Sequence, residues 1–359
     1  MRAPHRWSVA SFAALLLAGA LAAQKVVPPA EKRARALVNQ LELAERRAAA
    51  ADELLALGAA AVPALAARLN DPRPEVVQVV CEVLCALGPT AAAALPQLVT
   101  ASGSPDAGIV RMVRMTEFRV RATGATTICE YQSQRIVELA VDGAERELLK
   151  GEVTGLDVLP DGHLLVAQWS KNQVVEYDDK GKEVWSFAGV NMPFKAMRLL
   201  DGHTSIVDPQ GKRLVEVDAK GATVWEWKAP NGKGMPYDAD RLANGRTLVC
   251  LYPSRVVEVN RAGEIVWELE ELEGVFEADR LPNGNTLLTL HQAGAIREVN
   301  PKGEVVWEVK GVKEPRDADR LPNGNTLVGT TNSVIEFAPD GSKVSEIERG
   351  GHVFEVVRH

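Results

Sequence analysis

From Lys25 to Glu117 the chain contains no aromatic residue at all. Over the whole chain aromatics make up 5% of residues. There is no long run of Lys and Arg, and the formal net charge is −7. Phosphate neutralisation needs clustered basic side chains, so nucleic-acid binding is excluded as a function class. No His-Glu-x-x-His, Cys-x-x-Cys, glycine-rich phosphate loop or Ser-His-Asp order occurs, so no cofactor, metal site or catalytic residue is expected. Cysteine is scarce, with four in all. Cys81 and Cys85 share a helix face with Val77 and Leu84 and read as core residues. Cys129 and Cys250 fall in repeat units on opposite sides of the proposed ring, too far apart for a disulfide. All four are expected as free thiols.

The chain is rich in one repeated unit. Arg280-Leu-Pro-Asn-Gly-Asn-Thr-Leu-Leu288 returns as Arg320-Leu-Pro-Asn-Gly-Asn-Thr-Leu-Val328. The unit recurs about every 40 residues, with turn glycines at Gly124, Gly162, Gly202, Gly245, Gly284 and Gly324. A second turn glycine follows at Gly143, Gly181, Gly221, Gly263, Gly303 and Gly341. Short runs rich in Val, Ile, Thr and aromatics between turn signals are strands. Four strands, A to D, in each such unit mark a blade of a β-propeller. Six units predict six blades. Val353-Phe-Glu-Val-Val-Arg358 matches Val275-Phe-Glu-Ala-Asp-Arg280 at four of six positions, so it is expected to supply strand A of blade 1. The segment Phe118-Arg-Val-Arg121 then becomes a connector or an extra outer strand.

The front of the chain has a different character. Arg2 and Arg6 precede an apolar run from Ala10 to Leu21 that ends in small residues, the pattern of a secretory signal over 1–23. The run is too short for a stable membrane span, so the mature protein is expected to be exported, to a periplasm or the extracellular space. Residues 24–110 are dominated by Ala and contain two Leu-Gly pairs, 57–58 and 87–88, spaced 30 residues apart. Each pair ends one helix and precedes another with Pro near its start. This pattern resembles HEAT repeats. About two and a half units are present where about three are needed for a stacked core, so the array is expected to dock on the propeller or on a partner. Gly103 to Gly108 reads as the linker, and 111–359 as the propeller. The expected fold is therefore multi-domain, a short α-solenoid plus an all-β six-bladed propeller.

The repeated acid on strand C, at Glu138, Glu176, Glu216, Glu258, Glu298 and Glu336, reads as structural, because a single active site cannot use six equivalent copies. The tryptophans Trp185, Trp225, Trp267 and Trp307 are expected to cover seams between blades. Asp240-Arg241, Asp279-Arg280 and Asp319-Arg320 are expected to form a salt-bridge ring between blades. Function should lie where copies differ. The B–C loops carry Tyr131, Trp169, Asp208, Tyr252 and His291. The D–A loops carry Met192, Phe194, Tyr237, Phe276 and Arg316. The candidate ligand-binding set is Trp169, Tyr237, Tyr252, Phe276, His291 and Arg316.

Asp317-Ala-Asp-Arg-Leu-Pro-Asn-Gly-Asn-Thr-Leu327 and Glu298-Val-Asn-Pro-Lys-Gly-Glu-Val-Val-Trp-Glu308 resemble the repeats of arylsulfotransferase-like six-bladed propellers. They are also similar to NHL repeats and to the Trp-bearing repeats of quinoprotein propellers. The resemblance implies a propeller from about residue 115 onward. Two functions follow as expectations. The first is an exported, non-catalytic scaffold binding a protein, peptide or glycan through the propeller face and the helices. The second is an arylsulfotransferase-like or other enzyme with a site at the channel mouth, built around His291, Tyr252 and Arg316.

Overall fold

The computed structural model describes residues 28–121, 123–230 and 234–359. The signal segment expected at 1–23 lies outside the described residues. The repeat resolves into six antiparallel four-stranded sheets, one per blade. All twelve turn glycines have φ between 75° and 89°, a backbone state that glycine adopts without a steric cost. This explains why the repeat keeps glycine there while its other residues drift.

Blade 1 is closed by the C-terminal strand Val353–Arg358, which pairs antiparallel with Thr126–Glu130 and puts Val356 opposite Ile128. The order of that sheet joins the chain's last strand to its first three, so Thr126–Glu130 is not left as an open edge. The other inner strands are Gly155–Val158, Ala196–Arg198, Met235–Arg241, Val275–Arg280 and Asp317–Arg320.

The blade seams are built from two repeated devices. Each strand-D tryptophan donates its indole N–H to a carbonyl in the C–D turn of the next blade: Trp185 to Ala219, Trp225 to Arg261, Trp267 to Pro301 and Trp307 to Pro339, at 2.8–3.1 Å. The strand-C glutamate accepts the arginine that ends strand A of the following blade. Glu176 takes Arg198, Glu258 takes Arg280, Glu298 takes Arg320 and Glu336 takes Arg358, at 2.7–3.0 Å. Glu216 pairs with both Arg241 and Arg261. Inter-blade ion pairs thus exist at five of the six seams, Glu138 pairing instead with Arg146 of its own blade, and their acids are the strand-C glutamates and not the Asp residues beside each arginine. Side chains alternate along a strand, so neighbouring Asp and Arg cannot both face the seam.

Among the described residues six α-helices lie ahead of the propeller: α1 Pro29–Gln40, α2 Ala44–Ala56, α3 Val62–Ala66, α4 Pro74–Leu87, α5 Leu95–Ala101 and α6 Ala107–Val120. Gly58 and Gly88 stand at the two breaks with positive φ. A few helices are therefore present, while a stacked HEAT-like solenoid is not shown by them. The Phe118–Arg121 segment is not an outer strand but a helical end that connects the helices to the first propeller strand. Phe118 to Val120 are the last turn of α6, and Asp106 caps that helix by accepting from Gly108 and Ile109 backbone N–H at 2.7 and 3.0 Å. The 110/111 division drawn from sequence falls inside α6, and only residues 102–106 separate α5 from it.

The helices dock on the propeller. The buried face of α4, with Val76, Val77, Val80, Val83, Leu84 and Leu87, belongs to one core with Leu165, Val174, Ile206 and Val215 of blades 2 and 3. The stretch Pro74–Ala101 is long and apolar enough to span a bilayer, yet Gly88 interrupts it and its apolar face is spent on this core. Polar ties add to the dock: Asn244 donates to Asp52 (2.9 Å), and Arg111 donates to the Asp201 carbonyl (2.7 Å). The described helices therefore sit on the face that carries the A–B turns, and among the described residues none of them covers the face formed by the B–C and D–A loops.

Candidate functional site

The open channel mouth is built by irregularities in strand A. In blade 4 the pairing steps from Pro236 opposite Leu251 to Asp238 opposite Cys250, leaving Tyr237 as an extra residue. Blade 5 does the same at Phe276, and blade 1 at Phe354. A β-bulge of this kind re-aims the extra side chain. Phe194 and Arg316 occupy the same column in blades 3 and 6, and Thr154 in blade 2. Phe194 stacks on Tyr237 (4.6 Å between ring centres) and lies 5.8 Å from Phe276 and 6.0 Å from Phe354. The Arg316 guanidinium sits 4.5 Å from the centre of Phe354 and 5.4 Å from that of Phe276. These groups form a layer across the channel.

The layer continues outward. Tyr252 stacks on Tyr237 at 4.6 Å, Trp169 lies 6.1 Å from Phe194, and His291 lies 5.4 Å from Phe276. Tyr131 bridges Trp169 and Phe354 at 6.4 and 4.9 Å. All six sequence-selected residues, Trp169, Tyr237, Tyr252, Phe276, His291 and Arg316, therefore meet in one connected surface. Two of them are not in loops as expected: Tyr237 and Phe276 belong to strand A itself, because the bulge lengthens the strand. Met192 and Asp208 have other duties. Met192 donates its backbone N–H to Asn172. Asp208 is buried, pairs with Arg213 at 2.8 Å and accepts backbone N–H bonds from Asn191 and Gly211, which orders its loop.

Phe354 and His352 were missed. The C-terminal strand was matched to Val275–Arg280 for closure, and the same match places Phe354 in the column of Phe276. A second missed feature lies one step below the rings. Asp238, Glu277, Asp317 and Glu355 fall in one column, with Lys195 and Gly155 completing the turn around the channel. A Cβ at Gly155 would come within 2.3 Å of the Phe194 carbonyl, so blade 2 contributes no side chain. Reading the repeat by columns would have exposed this set.

Each of the four acids accepts a backbone N–H from the inner strand of the next blade. Asp238 takes Ala278 (3.4 Å), Glu277 takes Ala318 (2.6 Å), Asp317 takes Val356 (2.6 Å) and Glu355 takes Leu156 (2.5 Å). Inner-strand edges have no ladder partner on the channel side, and a buried unpaired N–H is costly. The acids meet that need. Lys195 is the cation among them, 2.7 Å from Asp238, 3.5 Å from Asp240 and 4.0 Å from Glu355. Burial pushes Glu355 up to about 8 and Asp238 up to about 6, and carries Glu277 and Asp317 well above the usual carboxylate range. The space between the rings and the acids is about 30 Å³, room for water and not for a ligand. A ligand on this side rests on the rings.

At the other end, a cavity of about 590 Å³ lies between the channel foot and the helices, walled by Asp240, Asp279 and Asp319 from the blades and by Asp52, Glu82 and Arg119 from α2, α4 and α6. Burial raises Glu82 to about 7. The arginines around it already hold glutamates or Asp157.

His291 Nδ1 lies 3.1 Å from the Pro315 carbonyl, and Tyr252 accepts from Gln292 at 2.8 Å. Among the described residues no carboxylate is hydrogen-bonded to His291.

Comparison with known proteins gives the same architecture. A family model described as outer membrane protein assembly factor BamB matches residues 137–336. The arylsulfotransferase likeness read from the repeat motifs finds no support in that match. No curated protein matches the chain at a significant level. Among solved structures, a protein of unknown function from Bacteroides caccae is 17% identical with a TM-score of 0.54, over 65% of this chain and 97% of that one. A catalytically inactive virginiamycin B lyase from Staphylococcus aureus with quinupristin is 15% identical, with a TM-score of 0.50, over 63% of this chain and 81% of that one. The WD40 propeller domain of Doa1 is 14% identical with a TM-score of 0.50, over 64% and 82%. At such identities these three likenesses establish the fold alone.

Proposed function

This chain belongs to the propeller family described as outer membrane protein assembly factor BamB, and from that membership we propose that it is an exported, non-catalytic binding protein whose open propeller face holds a polypeptide partner. The observation that carries this reading is the connected run of rings from Tyr131 through Trp169, Phe194, Tyr237 and Tyr252 to Phe276 and His291. Most of these rings keep part of their surface in water. Large, rigid aromatic side chains gathered on one exposed face are what protein-binding surfaces are made of. The opposite face is covered by the helices, which leaves this one free for a partner. A family described by its role in protein assembly favours a polypeptide over a glycan.

Export rests on Arg2, Arg6 and the apolar run that follows, with a periplasm or the extracellular space as destination. The helix–Gly–helix units before the propeller are read as a short HEAT-like array that serves as a fixed cover and as a second protein-contact surface. In this organisation residues 1–23 are removed, α1 to α5 form the cover and 126–359 the propeller, with α6 as the strut between them.

The test is binding of the mature protein to an array of immobilised peptides of about a dozen residues. Trp169→Ala and Tyr252→Ala should each weaken binding by about fivefold or more, roughly 1 kcal/mol, with an unchanged melting temperature. Substitutions of Asn283 and Asn323 in the A–B turns should leave binding intact. Normal binding by both aromatic variants, with loss through the turn variants, would place the site on the other face.

A further inference from the structure

We infer that Arg316 is the anchor of the open face, and that it takes the carboxylate of an acidic side chain inside an extended partner segment, with apolar or aromatic residues on either side of that acid. This rests on the reading of the face as a polypeptide site. It begins from an exception. Every other arginine from Arg135 to Arg358 is ion-paired with a carboxylate of the protein. Arg316 forms no such pair among the described residues. It also breaks its column, where blades 1, 3, 4 and 5 place Phe354, Phe194, Tyr237 and Phe276.

The guanidinium is partly withdrawn from water between Phe354 and Phe276, and its Nε is buried with no hydrogen-bond partner. Nη2 lies 3.4 Å from His352 Nδ1. The nearest acid in sequence on the same loop, Glu314, is exposed and takes the Thr331 hydroxyl at 2.5 Å. Withdrawing a cation from water without a counter-ion is unfavourable. A carboxylate arriving from outside would restore the missing interaction in a geometry suited to the planar guanidinium.

The surroundings narrow the ligand further. The space beneath the rings is about 30 Å³, too small for an entering side chain, so an acid that meets Arg316 stays level with it. Rings continue on both sides of the anchor, toward Tyr131 and Trp169 one way and toward Tyr252 and His291 the other. A segment that crosses the mouth meets aromatic surface before and after its acid. A chain end would use only half of that surface.

The experiment uses the same array, with C-terminally amidated peptides synthesised in pairs that differ only by Glu in one and Gln in the other. Expected are bound peptides enriched in Glu or Asp next to apolar residues. Within each pair the Glu form should bind about tenfold more tightly to the wild-type protein. Arg316→Gln should abolish that preference, so that the Glu and Gln forms of each pair bind this variant equally. Arg316→Lys should retain part of the preference. Equal binding of the paired peptides, a Glu preference that survives in Arg316→Gln, or binding that requires a free C-terminal carboxylate would each overturn the anchor. The aromatic face would stand in those cases if Trp169→Ala still weakens binding. Absence of binding by every peptide would overturn both readings.

Discussion

Arg320, at the end of strand A in blade 6, holds Glu298 in strand C of blade 5 at 2.8 Å, and its guanidinium lies 4.5 Å from the centre of the Trp307 ring. One arginine thus joins two blades through a carboxylate and an indole. Arg280 repeats the arrangement with Glu258 and Trp267 one blade earlier. Both partners of the Arg320–Glu298 pair are largely withdrawn from solvent. Glu298→Ala should therefore cost about 2–4 kcal/mol, because it strands a buried guanidinium. The double variant Glu298→Ala/Arg320→Ala should lose less than the sum of Glu298→Ala and Arg320→Ala. Urea unfolding of the four proteins checks this, and additive losses would show that the pair is not coupled.

The channel acids predict an unusual pH dependence. Burial raises Glu355 from 4.5 to about 8 in the folded protein. A carboxyl whose folded value is raised contributes stability fully below its unfolded pKa, and that contribution is lost as pH rises through the folded value. Asp238 and Asp319, raised to about 6, act in the same direction at lower pH. The melting temperature should fall between pH 6 and pH 8.5, by on the order of 5 °C for a loss of on the order of 2 kcal/mol. Glu355→Gln keeps an acceptor for the Leu156 N–H and removes the charge, so its profile should be flatter over that range. A variant that declines in parallel with the parent would remove Glu355 from the account.

All four thiols should be countable in denaturant under non-reducing conditions, and close to none should react in the native state. Cys81, Cys129 and Cys250 are buried, and Cys85 is half-buried with its Sγ 3.5 Å from the Thr116 hydroxyl. Burial pushes Cys85 up to about 11 and carries Cys81, Cys129 and Cys250 above the usual thiol value as well. The thiolate that reacts is therefore scarce at neutral pH. Fewer than four thiols in denaturant would mean that a disulfide forms.

Much of the propeller was legible because a repeat compares the chain with itself. Turn glycines fixed the blade count, and the match between 353–358 and 275–280 revealed the closing strand. What escaped were features that depend on registry between blades. Nothing in Val275-Phe-Glu announces a bulge, so the sequence by itself places Phe276 in a loop. The strand-A arginines were assigned to the neighbouring Asp because sequence adjacency says nothing of strand alternation across a seam. Arg316 was visible as a break in the repeat, but its lack of a counter-ion became visible only when the other arginines had found theirs.

Deleting residues 350–359 should be far more damaging than trimming an ordinary terminus. The strand Val353–Arg358 is the innermost strand of blade 1, and Val353 and Val356 are fully buried among Ile128, Val137 and Val334. Arg358 pairs with Glu336 of blade 6, and Glu355 receives the Leu156 N–H of blade 2. The strand therefore ties its own blade to both neighbours. Its removal would leave Thr126–Glu130 as an open apolar edge at the channel and would break two seams at once. The truncated protein should lose its cooperative thermal transition or aggregate. Calorimetry beside the full-length protein decides the matter: a truncated form that melts within about 5 °C of the parent would mean that ring closure does not depend on this strand.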